Sequence, residues 1–253
     1  MTYVNKGSTG PTVTVTLTPD LSGNFVCSGA ADQVEINAAI DFVAALGAGG
    51  EVHLGPGTYV LAATISMDQD DIKLVGSGWD TYLNGDAAAD HAITVAADNC
   101  VIRDLQTSTT QGGTNNYDGI NVNSNFDFTK IINVFVNGSD RRCIGIGGSS
   151  NHTLIEKCYL FDADEEGIFC GGGFTQILGT VIEQAAGFGI EVATGGDDSV
   201  MDGNVIDTTG DDGINIHTDA ENCIVDSNRI TSWTNECIDD DSGTSTIGDN
   251  ECT

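Results

Sequence analysis

Three groups of side chains in this sequence have the types and spacing to do chemistry. The first is Asp211, Asp212 and Glu236 with His217. Paired carboxyl groups can act as acid and base on a glycosidic bond when one raises the pKa of the other, and an imidazole nearby can move protons. The second is Asp118, Arg142 and Glu166, with Tyr117 beside them. As an exposed ion-pair stack such a ladder is worth under ~1 kcal/mol. As a glycan-binding group, its guanidinium could clamp a sugar carboxylate in bidentate fashion. The third is Glu191, Asp239 and Asp241, a set of oxygen ligands that could hold Ca²⁺, although no EF-hand loop orders them. None of the three requires a cofactor. His53, His91 and His152 stand apart from these groups and read as structural histidines.

What must position these groups is a repeat. Counting from Ile120 by 24, 24, 22, 24 and 24 residues reaches Ile144, Ile168, Ile190, Ile214 and Ile238. Two residues on, an apolar column runs through Val122, Ile146, Cys170, Val192 and Ile216, and Asp240 is the misfit. Two further columns keep phase: Ile131, Ile155, Ile177, Met201, Val225, Ile247, and Val136, Leu160, Ile182, Ile206, Ile230. Apolar residues two apart read as short strands burying one face. A period of 22–24 residues carrying two or three such strands predicts a coil that climbs one strand spacing per turn, an all-β, single-stranded parallel β-helix. Residues one period apart then stack about 4.8 Å apart. Two positions before the isoleucine column the stack reads Asp118, Arg142, Glu166, Phe188, Asp212, Glu236, so Arg142 falls between two carboxylates.

The chain opens with an alternating run, Thr12 to Leu17, that predicts one strand, broken at Pro19-Asp20 and Ser22-Gly23-Asn24. A helix is expected over 32–46, with Asp32 as its cap, Glu35 completing a capping box and Gly47 as its stop. Val34, Ile36, Ala39, Ile40, Val43 and Leu46 would form its apolar stripe and plug the end of the first coil. Residues 1–31 thus read as an N-terminal strand or arm, and 32–253 as the β-helix domain with its capping helix. Gly76-Ser77-Gly78-Trp79 predicts a corner with the indole over the core, and 111–117 a loop projecting between coils.

Composition limits the partners. The 253 residues need only one domain, and 33 glycines suit a coil with many tight corners. A formal charge of -30, with 38 Asp plus Glu against 8 Lys plus Arg, argues against nucleic acid and against an anionic membrane surface. No run approaches the roughly 18 apolar residues of a membrane-inserted span. The first residues lack the apolar core of a secretory signal, so an extracellular location would follow lysis or assembly into a virion. The eight cysteines show no zinc spacing and read as buried thiols, with Cys237 and Cys252, near the terminal edge, the pair to check for a bond.

The segments Cys27 to Ile40 and Gly49-Gly50-Glu51-Val52-His53-Leu54-Gly55-Pro56-Gly57-Thr58-Tyr59 resemble the opening of the pectate-lyase-like superfamily of right-handed β-helices. There a helix followed by GG-x-V-x-L-x-x-G-T-Y marks the capping helix and first coil. The resemblance implies a right-handed coil, and its look is nearest to phage-encoded tailspike and virion proteins. The superfamily also holds polygalacturonases, lyases and epimerases. Gly210-Asp211-Asp212-Gly213 is similar to the GDDC segment of polygalacturonases, but no Gly-His-Gly or Arg-Ile-Lys accompanies it, and His217 has a different spacing.

Three functions follow. The first is a structural virion or surface-assembly protein (spike, fibre or decoration module), homo-oligomeric as a trimer or larger and binding polysaccharide. The second is a polysaccharide hydrolase or lyase using the acidic patch. The third is a self-stacking β-helix filament.

Overall fold

The computed structural model describes residues 11–16, 25–47, 49–85, 90–109 and 116–253. They form a parallel β-helix. One sheet takes a single three-residue strand from each of eight successive coils, from Ile65–Met67 through Ile120–Val122, Ile144–Ile146, Ile168–Cys170, Ile190–Val192 and Ile214–Ile216 to Ile238–Asp240. The pairing follows the counted columns: Ile120 lies against Ile144, Ile144 against Ile168, Ile168 against Ile190, and so on to Ile238. The other strands form an eighteen-stranded sheet, in which Ile131, Ile155, Ile177, Met201, Val225 and Ile247 pair in sequence.

The inward columns are a continuous core. Ile120, Ile144, Ile168, Ile190 and Ile214 are fully buried, and each such side chain stabilises the coil by roughly 1.5–3 kcal/mol. A buried amide ladder replaces aliphatic packing at one corner. The Asn204 amide donates to Asn228 Oδ1, and that of Asn228 to Asn250 Oδ1, each at 3.0 Å. The same amide nitrogens also reach the Ile177 and Met201 carbonyls, so the buried polar atoms are satisfied. At the last coil Asp240 is half-buried, and its Oδ1 accepts hydrogen bonds from Ser242 Oγ at 2.6 Å and Ser245 Oγ at 3.3 Å. The position expected to be apolar is thus met by hydroxyls where the core ends.

The helix spans Gln33–Ala45 and buries Ile36, Ala39, Ile40 and Val43 against the first coil. Its C-terminal end is as expected, with Gly47 at φ +78° as the stop, but its N-terminal end differs. Asp32 makes no side-chain bond to its own helix; its carboxylate accepts the Gly29 N–H at 2.7 Å and the Val60 N–H at 2.8 Å, tying the preceding turn to the first coil. With Asp32 so engaged, no capping box forms, and Glu35 Oε2 is buried with no hydrogen-bond partner among the described residues. Val34 and Leu46 point to solvent rather than joining the stripe. Thr12–Thr16 pairs in parallel with Gly50–Leu54 and Phe25–Val26. The breaks expected at Pro19-Asp20 and Ser22-Gly23-Asn24, and residues 111–115 of the expected loop, lie outside the described residues.

Trp79 does not cover the core. It is 44% exposed and leans outward across the coils, its ring centroid 5.2 Å from Phe135 and 6.2 Å from Tyr159. Cys237 and Cys252 are disulfide-bonded, and the other six cysteines are free and buried. Burial pushes the Cys100, Cys143 and Cys158 thiols up to about 12, which leaves them unreactive core residues.

Candidate functional site

The outer face of the eight-stranded sheet gathers the polar residues singled out from the sequence. In each strand the central residue points outward, giving Asn121, Gly145, Phe169, Glu191, Asn215 and Asp239 in register. The stack two positions before the isoleucine column runs beside it. His91 belongs to that stack, because Ile93 pairs with Ile120 and so brings His91 to Asp118.

Around Arg142 the ladder is a nearly buried network rather than an exposed one. Arg142 Nε donates to Glu166 Oε2 at 2.6 Å, with side-chain exposures of 13% and 12%, and its guanidinium lies 3.6 Å from the Phe169 ring centroid. Arg141 makes the parallel contact to Glu165 at 3.0 Å. Charged pairs shielded from water in this way hold geometry better than rim pairs. Toward the other end, the Asp118 N–H donates to His91 Nδ1 at 2.8 Å, so neutral His91 carries its proton on Nε2. The Asp118 carboxyl is buried, and Oδ1 has no hydrogen-bond partner among the described residues. Burial raises its pKa, against the opposing pull of His91, Arg141 and Arg142. Room for it comes from Gly145 on the next coil, where a Cβ would stand 2.6 Å from Asp118 Oδ2.

One coil beyond Glu166 lies Glu191, whose Oε1 is 2.8 Å from His217 Nε2. Burial first, and the Glu166 charge second, raise the Glu191 pKa; His217 and Arg142 pull it down. A shielded carboxyl beside a second carboxylate and an imidazole is held protonated to higher pH than an ordinary Glu, the direction a proton donor needs.

The residues picked from the sequence are distributed along this face. Asp118, Arg142 and Glu166 stack as counted, and Tyr117 lies beside them, its ring edge-on to His91 at 6.0 Å. Asp212 is buried and engaged: Oδ1 accepts the Glu236 N–H at 2.7 Å and Oδ2 the Asn215 amide at 3.4 Å. It therefore fixes the corner that Asp211 and the exposed Glu236 share. His217 sits with Glu191, not with Asp212. Glu191 and Asp239 are in one column with Asn215 between them, about 9.6 Å apart at two strand spacings. Asp239 is instead grouped with Asp241, and desolvation followed by the charges of Asp241, Glu236, Asp212 and Asp240 raises its pKa. Among the described residues, three metal-type ligand atoms within 4.8 Å of one another occur at Cys27, Asp32 and Glu35, away from this face.

Sequence reasoning missed His91 and Phe169 as members of the site. Both were legible by offset: His91 lies two before Ile93, and Phe169 one after Ile168. The 27-residue step from Ile93 to Ile120 hid the first.

The family described as "Right handed beta helix region" matches residues 89–253. No curated protein matches the chain. Among solved structures it is similar to ORF18 of Geobacillus virus E2, at 14% identity and TM-score 0.52, over 95% of this chain and 60% of that one. It is similar to PfbA, a surface adhesin of Streptococcus pneumoniae, at 13% identity and TM-score 0.59, over 82% of this chain and 61% of that one. The third is an alginate lyase from Paenibacillus sp. str. FPU-7, at 12% identity and TM-score 0.61, over 96% and 99% of the two chains. The chain thus spans about three fifths of the viral protein and of the adhesin. At these identities the likeness is one of fold.

Proposed function

The chain belongs to the right-handed β-helix family, and we propose that it is a glycan-binding component of a surface assembly, a virion spike or an adhesin-like module, with the eight-stranded sheet as its binding face. The observation that carries this is the continuous, partly desolvated row of Asp118, Arg142, Glu166 and Glu191, flanked by Phe169 and by side-chain-free Gly145. Carboxylates held in place accept hydrogen bonds from sugar hydroxyls, and an aromatic ring packs on the C–H face of a pyranose. The solved phage protein and surface adhesin with this fold support the setting. The ligand is a neutral glycan. Arg142 donates its Nε to Glu166 and Arg141 its Nε to Glu165, so an anionic sugar would meet carboxylates such as Glu191 with no unpaired cation opposite among the described residues.

A second reading, cleavage of the bound glycan, is favoured by Glu191. Its raised pKa suits a proton donor to a glycosidic oxygen, with Glu166 as the second carboxyl group nearby. The Asp211, Asp212 and Glu236 set is the competing acid–base assignment.

Calorimetric titration with neutral and acidic oligosaccharides tests the binding face. Neutral oligosaccharides should bind, and Glu191→Gln and Glu166→Gln should each weaken them by about tenfold, the loss of one or two charged hydrogen bonds. Binding confined to acidic glycans, or indifferent to both substitutions, would overturn the assignment.

A further inference from the structure

A second group of aromatic side chains lies on the eighteen-stranded sheet, away from the face just described. Phe135 in the strand Lys130–Ser139 and Tyr159 in the strand Tyr159–Ala163 pair in register and pack edge to face at 5.0 Å. Trp79 reaches over both from the corner that starts at Gly76. That corner is well tied. Ser77 N–H donates to Thr81 Oγ1 at 2.9 Å, Thr81 N–H to the Gly78 carbonyl at 3.0 Å, and Gly78 N–H to the Asp104 carbonyl at 2.9 Å. Gly78 takes φ +89°, which L side chains rarely adopt. The indole N–H donates to the Asn133 carbonyl at 3.2 Å, so the ring's orientation is set before any ligand arrives.

Beside the indole is an open cleft of about 410 Å³ lined by Trp79, Asp80 and Asn133. Tyr159 closes the aromatic group below, its hydroxyl donating to Glu183 Oε2 at 2.6 Å; that bond is the main reason its pKa is raised to about 12, and it keeps the phenol protonated.

We propose that this cleft is a second saccharide site, taking a neutral hexose unit on the indole of Trp79. An exposed, fixed indole offers the apolar face that a pyranose C–H surface stacks on, and Asp80 with Asn133 offers polar groups to its hydroxyls. A wholly apolar ligand would strip water from the Asp80 carboxylate without replacing it. An anionic ligand would meet Asp80 and Glu183 on a chain of charge -30.

The test is a titration of the whole chain with maltohexaose, cellohexaose and laminarihexaose, read by indole fluorescence and by calorimetry. At least one should give a saturable fluorescence change. Trp79→Ala should lower that affinity by about tenfold or more, and Trp79→Phe by less, because a smaller aromatic ring is kept. Asp80→Ala, which leaves the aromatic group intact, should weaken it as well. Trp233→Phe, which removes the other indole and touches neither site, should leave the fluorescence change intact. The proposal is overturned by no response to any of the three sugars, by a response that survives Trp79→Ala, or by loss of the fluorescence change in Trp233→Phe. Binding at Trp79 together with a silent eight-stranded face would sink the face assignment and leave this site standing.

Discussion

His217 Nε2 lies 2.8 Å from Glu191 Oε1, one coil on and two positions further along the strand. That contact joins a residue read as a catalytic candidate to one read as a calcium ligand. It makes Glu191 and His217, in the middle of the sheet, the pair on which the proposed cleavage reading rests.

The first prediction separates those two centres. If the protein cleaves glycan, Glu191→Gln removes the proton donor and should lower kcat by about 10²-fold or more, while Asp212→Asn should act chiefly on stability, because both Asp212 oxygens already serve the corner. Reducing-end release by the two variants is the measurement. Loss of turnover in Asp212→Asn with an unchanged melting temperature would restore the Asp211, Asp212 and Glu236 assignment.

Stability should rise as the solution is made mildly acidic. Asp118, Glu191 and Asp239 have pKa values raised above their ordinary values of 3.8, 4.5 and 3.8. Between the unfolded and folded values the native state binds more protons than the unfolded state, so ionising these groups at higher pH costs stability. The contribution is fully present below the unfolded values and lost as pH climbs through the folded ones. Thermal melts from neutral pH down toward that range should therefore move upward, and Glu191→Gln should flatten the rise. A flat profile in the wild-type chain would contradict it.

Gly145→Ala tests how Asp118 is housed. The added Cβ would stand 2.6 Å from Asp118 Oδ2, so the carboxyl must move. Overpacking of this kind costs about 1–3 kcal/mol. The melting temperature should fall and neutral-glycan affinity with it, whereas Gly148→Ala, whose nearest neighbour would be 3.8 Å away, should change little.

The Cys237–Cys252 bond closes a 15-residue separation and ties the last coil. A loop of that size corresponds to about 3 kcal/mol of chain entropy. In Cys252→Ser, hydrogen exchange should speed up in the last coil, 238–252, and leave the Ile120 to Ile214 strands protected. Uniform acceleration along the whole coil would mean that the terminal coil is not an independent opening unit.

Assembly and calcium are read by one measurement. A surface-assembly component should give a discrete mass, a trimer or larger closed oligomer, in light scattering at both low and high salt, and a filament a mass that grows with concentration. Ca²⁺ held by the acidic end, around Asp239 and Asp241, should raise the melting temperature and lose that effect in Asp241→Asn. A clean monomer, unmoved by Ca²⁺, would remove both proposals.

The sequence by itself determined the coil. Isoleucines at near-constant spacing must face one interior, because a strand alternates its faces and a parallel stack repeats them, so Ile120 through Ile238 named the core column and, by offset, the outward stack of Asp118, Arg142 and Glu166. The helix was legible from its apolar spacing and its stop from Gly47, though its N-terminal cap was not. Whether Asp32 bonds its own helix or the Val60 N–H depends on where the first coil passes, and that is a long-range fact. The tertiary structure alone decided partners and burial. Column counting puts Arg142 midway between Asp118 and Glu166, yet the guanidinium turns to Glu166 and Phe169 while Asp118 meets His91. Side-chain torsions, local dielectric and gaps such as that over Gly145 set these choices, and none of them is written in a spacing. Trp79 makes the same point: a corner was predictable, but the outward turn of its indole onto Phe135 and Tyr159 arises only when four successive coils lie side by side.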